Sequence, residues 1–484
     1  MTRVNEQTPL LSAHGKAHPT PLPRLQFAIV LFLQLAEPLT SNVIFPFAPQ
    51  MVRDMGITHG RESQVGHYVG LLQSIFFVAE GCTVLFWSRL SDGIGRRLVI
   101  MTGLLGLSLS MFAFGLSKTF TGLVISRSLS GALNGNVGVM KSMVAEMTDD
   151  SNISTAYAYM PLAWNTGGTL GPMIGGWLYN PAKRFPSLFG QSEFHRSHPY
   201  FLPCALPATF SLSACIVTFL FLKETLPSPT PVLQYLGISK SSPHQESNAP
   251  SPIEGAHNSS NSVNKRKPLP LRSLFTRRVI MASGNYASLA AVEITFRSIQ
   301  PLFYSTPIRL GGLGLSTAKI GNVLAVSSVL NGLFQAIVFA RMNERFGSKK
   351  TFMFGVASTI PCIVMFPLLN FIAQHKGHGN FLWAGLGLQI LFSLGIGLGY
   401  GAIFIFIAKA SPNRECIGAT NGISQTSVSI MRAIGPAVAS SLFSLSIEKG
   451  ILGGHLVYYV LTTFVAIALY IASFLPHRLW DDME

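Results

Sequence analysis

The chain has 484 residues, of which 48% are hydrophobic and 11% charged, with a mean hydropathy of +0.40. Soluble domains carry roughly 25% charged residues, so the composition excludes an ordinary water-soluble globular protein. The formal charge of +15 points, by its distribution, to membrane topology and not to a nucleic-acid surface.

Residues 1–24 are polar and read as a cytoplasmic tail. Within it, Glu6-Gln-Thr-Pro-Leu10-Leu11 resembles an acidic dileucine sorting signal. That leaves a vacuolar or endosomal membrane and the plasma membrane as alternatives. Twelve apolar runs of about 20 residues follow. They lie near 25–47, 66–88, 98–116, 121–145, 156–178, 200–222, 279–304, 317–341, 351–373, 382–409, 417–446 and 453–475. Lipid offers backbone groups no partners, so each is expected to be a helix. The first run is too long for a signal peptide's apolar region, so none is expected to be cleaved.

With the N-terminus placed in the cytoplasm, 22 Lys and Arg fall on the cytoplasmic side and 10 on the outer side. Arg127, Arg297 and Arg432 fall within the runs. The bias satisfies the positive-inside rule and puts both termini in the cytoplasm. Residues 223–278 are rich in Ser, Pro, Asn and His and end in a basic run. They read as a disordered cytoplasmic linker between six-helix bundles at 25–222 and 279–475. A short cytoplasmic tail, 476–484, closes the chain.

The two halves repeat. Asp92-Gly-Ile-Gly95-Arg96-Arg97 follows run 2, and Glu344-Arg-Phe-Gly347-Ser-Lys349-Lys350 follows run 8, 252 residues later. Gly171-Pro172 in run 5 recurs as Gly435-Pro436 in run 11. Parallel repeats around a midplane site are a transporter architecture. Run 5 stands apart, because Gly167, Gly171 and Gly175 recur every four residues with Pro172 and Gly176 on the adjoining stripe. Glycine costs about 1 kcal/mol and proline about 3 kcal/mol in a helix. Close helix packing, a moving kink, or both would justify that load.

On these residues the chain resembles the major facilitator superfamily over 25–475. Asp92 to Arg97 matches that family's loop between helices 2 and 3, with Ser88 in place of the usual Gly and Gly93 in place of a basic residue. Arg127-x-x-x-Gly131 matches a helix 4 motif, and Gly167 to Gly176 matches the motif associated with proton-coupled antiporters. Ala36-Glu37-Pro38, Phe45-Pro46-Phe47, and the outer stretches 181–190 and 199–204 resemble the fungal and plant drug:proton antiporter branch. That branch includes the zinc-induced-facilitator-like proteins. The resemblance implies an all-α integral membrane fold with twelve transmembrane helices in two pseudo-symmetric bundles. It also implies an inward gate at Asp92, Gly95, Arg96, Arg97, Glu344 and Gly347, and a link between Arg127 and proton transfer.

Six charged residues, Glu37, Glu80, Arg127, Glu293, Arg297 and Arg432, stand more than five residues inside a run. Buried charges pair, face the bundle interior and mark pathways. Glu293 and Arg297, four apart with the acid first, read as a structural pair. Glu37 is the first choice for binding a proton or a cationic substrate; the alternative is a satisfied carboxylate paired with Arg127 or Arg432. Burial raises a carboxylate's proton affinity and a nearby cation lowers it, so a Glu that alternates between such settings can carry protons. Glu80 is a second proton site or a brace near the Asp92 loop. Arg432 is a central anion or proton-linked site.

Asn134, Asn136, Asn165, Gln300, Tyr304, Asn331, Gln335 and Gln425 are cavity candidates, against a competing role as interhelical glue. The outer-loop pairs His195/His198 and His375/His378 lack zinc spacing, and the five scattered cysteines suggest neither disulfides nor a thiolate site. No nucleotide loop or nucleophile–base arrangement suggests an enzyme. The expected function is proton-coupled antiport exporting small organic molecules, drugs or secondary metabolites. Facilitated transport or import of amines or nutrients is one alternative, and a non-transporting membrane sensor another. The proton gradient is the energy source, with no cofactor, metal or nucleic acid. The chain is expected to work as a monomer, with substrate, protons and the bilayer as partners.

Overall fold

A computed structural model describes residues 22–148, 153–226, 275–410, 417–477 and 480. Glu6, Leu10, Leu11 and most of the 223–278 linker lie outside them. All twelve runs are helical. They are numbered α1 (Arg24–Gln34 and Ala36–Asn42), α2 (Val65–Ile94), α3 (Arg96–Leu116), α4 (Phe120–Leu133 and Asn136–Glu146), α5 (Ile153–Leu178) and α6 (Phe201–Phe221). The second half holds α7 (Arg277–Ser305), α8 (317–346), α9 (348–376), α10 (Asn380–Ala410), α11 (Ile417–Lys449) and α12 (Leu456–Ser473). No strand occurs among the described residues.

Local chemistry explains the interruptions. Pro38 has no N–H for the carbonyl of Gln34, and α1 breaks at Leu35. The Asn134-Gly135 pair parts α4, Asn134 standing at φ −86°, ψ 74°. Among the described residues, seven helical stretches are long and apolar enough to cross a bilayer by length and composition, one of them holding α8 and α9 together. The four remaining helices are the broken α1 and α4, the bent α2, and α5, whose Asn165, Pro172 and glycines dilute its apolarity.

The repeat read from sequence is present in the backbone. Gly95 (φ 109°, ψ 152°) turns α2 into α3, and Gly347 (φ 79°, ψ 159°) turns α8 into α9. A side chain is strained at such a positive φ, which is why glycine stands at both joints. Within each half the helices pack in matching pairs, α2 on α4 and α1 on α5, then α8 on α10 and α7 on α11. The halves meet through α5 with α8 and α2 with α11, two seams that the repeat maps onto each other. Both described chain ends and both glycine turns share one end of the bundle, the near end; the α1–α2 and α5–α6 connections lie at the far end.

Candidate functional site

The glycine run of α5 serves two contacts. A β-carbon on Gly167 would lie 2.7 Å from Pro38 Cγ, one on Gly171 would lie 3.0 Å from the Val43 nitrogen, and one on Gly175 would run into the Val43 carbonyl. This stripe seats α5 on the second segment of α1, just after Glu37. The adjoining stripe faces the other half. A β-carbon on Gly176 would lie 2.8 Å from the Thr317 carbonyl and 2.9 Å from Gly321 Cα, and Gly168 faces Ser328. α5 continues as one helix through Pro172, and the run is a packing surface on two sides.

Hydrogen bonds among the described residues also join the halves. Trp177 Nε1 donates to Asn322 Oδ1 at 2.6 Å, the Ala437 N–H to Ser74 Oγ at 2.9 Å, and Arg53 Nη2 to the Ser305 carbonyl at 3.2 Å. All of them lie in the far-end parts of their helices. Toward the near end, Glu80 and Arg432 are part-exposed and Lys141 is exposed. Solvent therefore reaches the middle of the bundle from the near end.

Charges from both halves converge there. Glu37 is 7% exposed, and its Oε2 has no hydrogen-bond partner. Asn134, freed from helical geometry by the α4 break, is its polar neighbour, and Arg432 and Lys141 are the cations whose charge reaches it. Glu80 faces Glu37 and Arg432. Arg432 also faces Tyr400, Tyr286 and Glu293. Glu37 and Glu80 come from the first half and Arg432 from the second.

Lys141 was not among the candidates. The positive-inside count placed it with the cytoplasmic residues, although it lies inside the fourth run, and α4 carries it into the cluster. Its position in that run was the available signal. Arg127 departs from expectation in the other direction. It is 6% exposed, lies over the Phe76 ring at 4.7 Å, has an unpartnered Nε, and neighbours Cys204 of α6. Of the two arginines considered for Glu37, Arg432 is the one that faces it.

Glu293 and Arg297 stand 3.5 Å apart, as their spacing predicts, and Tyr400 Oη donates to Glu293 Oε2. Their setting differs from a purely structural brace. They line a cavity between the halves, together with Asn42, Gly168, Pro172, Gln300 and Asn331. Asn42 is a lining residue that sequence reasoning missed. Of the other amides, Gln425 reaches the Tyr286 hydroxyl at 3.5 Å, Asn165 packs against Gly332 across the α5–α8 seam, and Gln335 borders Gly397.

Of the eight cavity candidates, only Gln300 and Asn331 line it, and two of the others are buried within one half. Asn136 is buried against Gly103 of α3. Tyr304 is fully buried within the second half, accepting from Gln300 Nε2 at 3.0 Å and donating to Gln389 Oε1 at 2.8 Å. A tyrosine hydroxyl deep in an apolar core needs such partners, and the helix face carrying it is not visible from spacing.

At the near end, Arg96 forms an ion pair with Asp92 and another with Glu146 at 2.9 Å, and its Nη1 donates to Ser91 Oγ at 2.6 Å. Within the gate loop, Asp92 holds Arg96. The N-terminus of α3 is held by Glu224, which accepts from the Arg96 and Arg97 N–H groups at 2.9 and 3.0 Å. Arg97 reaches the Thr218 carbonyl at the end of α6, and Lys349, its repeat counterpart, reaches the Ser473 carbonyl at the end of α12. Glu344 is exposed, so the second loop does not reproduce the buried Arg96 network.

Two repeated helical halves enclosing a charged cavity define a secondary transporter. The family model of the Major Facilitator Superfamily matches residues 30–436, and the chain belongs to that superfamily. It is 30% identical over 482 residues to the major facilitator-type transporter psiT2 of Psilocybe cyanescens, covering 94% of this chain and 90% of that protein. It is 29% identical to the multidrug transporter mfsB of Aspergillus fumigatus (88% and 80% covered) and 29% identical to ZINC INDUCED FACILITATOR 1 of Arabidopsis thaliana (92% and 90%).

Proposed function

We propose that the chain is a proton-coupled antiporter that exports small organic molecules by alternating access. The observation that carries this reading is the shared electrostatics of Glu37, Glu80 and Arg432. Two carboxylates of one half face a guanidinium of the other. Protonating either acid removes an attraction across the interface, so proton occupancy biases how the halves sit. Lys141 adds a second cation that can take over when Arg432 moves. Arg127 keeps its family-derived link to proton transfer only if it acts on this cluster indirectly, from its place beside Phe76.

In this reading both termini are cytoplasmic, and the near-end opening is the inward-facing state. The Arg96–Asp92–Glu146–Glu224 network belongs to the gate on that side. The membrane is the plasma membrane or a vacuolar or endosomal one, and the monomer is the working unit. The similarity to mfsB, a multidrug transporter, supports organic compounds as the substrates. Reconstituted protein tests the reading: efflux of a transported compound from proteoliposomes should follow an imposed pH gradient, and Glu37→Gln should abolish that dependence. Transport that ignores the gradient, with Glu37→Gln fully active, would sink it.

A further inference from the structure

We infer that the Glu293–Arg297 cavity selects a zwitterion, a small molecule carrying one cationic and one anionic group. The inference rests on the transporter reading above, and it assigns the substrate class for that site. The pair lines the cavity with its side chains 21% and 30% exposed, and the contact is a single 3.5 Å approach. Glu293 holds Tyr400 Oη on its second oxygen. Arg297 has no other hydrogen bond among the described residues, so most of its five N–H donors are available.

Charge balance decides the ligand. A cation entering beside Glu293 also meets Arg297, and an anion entering beside Arg297 also meets Glu293. Each gains one attraction and suffers one repulsion. A zwitterion aligned against the pair gains both, replacing one loose internal contact with two charge-assisted hydrogen bonds while adding no net charge to the cavity. Removing a lone charge from water without such compensation is costly.

The remaining lining fits the rest of such a molecule. Gln300, Asn331, Ser327 and Ser328 offer hydrogen bonds, and Phe45 and Phe296 offer aromatic surface. Arg432 of the coupling cluster also reaches Glu293 and Tyr400, so the proton-coupling residues and the substrate pair share one neighbouring charge.

The test is equilibrium binding to purified protein, without any gradient, so its outcome does not depend on whether transport is proton-coupled. The probes are four forms of phenylalanine: the free amino acid, its methyl ester, its N-acetyl acid and its N-acetyl methyl ester. They differ in charge on one aromatic body. The free amino acid should bind about tenfold tighter than each of the others, the scale of one lost charged hydrogen bond. Arg297→Gln should reverse the order, favouring the cationic ester, whereas Glu293→Gln should favour the N-acetyl acid. A pair with only a structural role would weaken all four probes together. Equal binding of the four, no binding of the free amino acid, or variants that leave the order unchanged would overturn the assignment. Failure of pH-driven efflux alone would overturn antiport and leave this result standing.

Discussion

Single residues divide the labour in the cavity, and Glu37 carries the sharpest expectation. It is buried, partly unpartnered, and faced by Arg432 and Lys141. Glu37→Gln keeps the volume and removes the titrating group. It should reduce gradient-driven efflux to background while substrate exchange at equal pH on both sides persists. Loss of both activities would mean that Glu37 binds substrate or holds the fold. Lys141 offers a second check, because Lys141→Met removes a charge facing Glu37 without breaking the Glu293–Arg297 pair. Its pH profile for transport should move, with substrate affinity held within about threefold, since a remote charge changes binding by less than one direct charged contact. The sequence made Glu37, Glu80 and Arg432 legible because a charge in an apolar run is conspicuous. It hid Lys141, because a cation near a helix end also satisfies the topology rule, and only the path of α4 after the Asn134 break shows where it points.

Elements explain why glycine sits where it does. α5 touches α1 with one small-residue stripe and α8 with the other, and the second contact helps close the far end. Gly176→Leu would force atoms against Thr317 and Gly321. Overpacking of this kind costs about 1–3 kcal/mol, which shifts a two-state equilibrium about 5- to 150-fold. The far-end-closed state alone bears that cost, so a cysteine placed in the far-end cavity lining should become more accessible to an impermeant thiol reagent from that side. Gly168→Ala is the matched control, since its β-carbon would meet the rotatable Ser328 Oγ at 3.3 Å. Unchanged labelling in Gly176→Leu would show that this seam does not control the far end. The near end has its own element-scale expectation. Glu224→Ala leaves the Arg96 and Arg97 N–H groups of α3 without their acceptor, a lost cap costing about 0.5–2 kcal/mol, and the melting temperature should fall by roughly 2 °C. The spacing of the run was readable in the sequence, but the partners of its two stripes were not, because they lie in helices more than a hundred residues away.

At the scale of the molecule, the halves are joined at one end and parted around a charged middle. Relative movement of the halves has a direct test at Gly168 and Ser328, which face each other across the α5–α8 seam. A β-carbon on residue 168 would lie 3.7 Å from that of Ser328, within the roughly 3.5–4.5 Å that a disulfide requires. The variant Gly168→Cys/Ser328→Cys, made with the five native cysteines replaced by Ser, should cross-link under mild oxidation. The bond ties the first half to the second beside the cavity. If the seam must open for the far side to gain access, oxidation should drop efflux to background and a reductant should restore it. Each single-cysteine variant should transport equally under both conditions, which separates tethering from oxidation of a lone thiol near the substrate. Full efflux by the cross-linked protein would mean that the seam stays shut throughout the cycle. The far-end closure held by Gly176–Gly321, Trp177–Asn322 and Arg53–Ser305 would then be a fixed wall, and access would have to alternate by some other route.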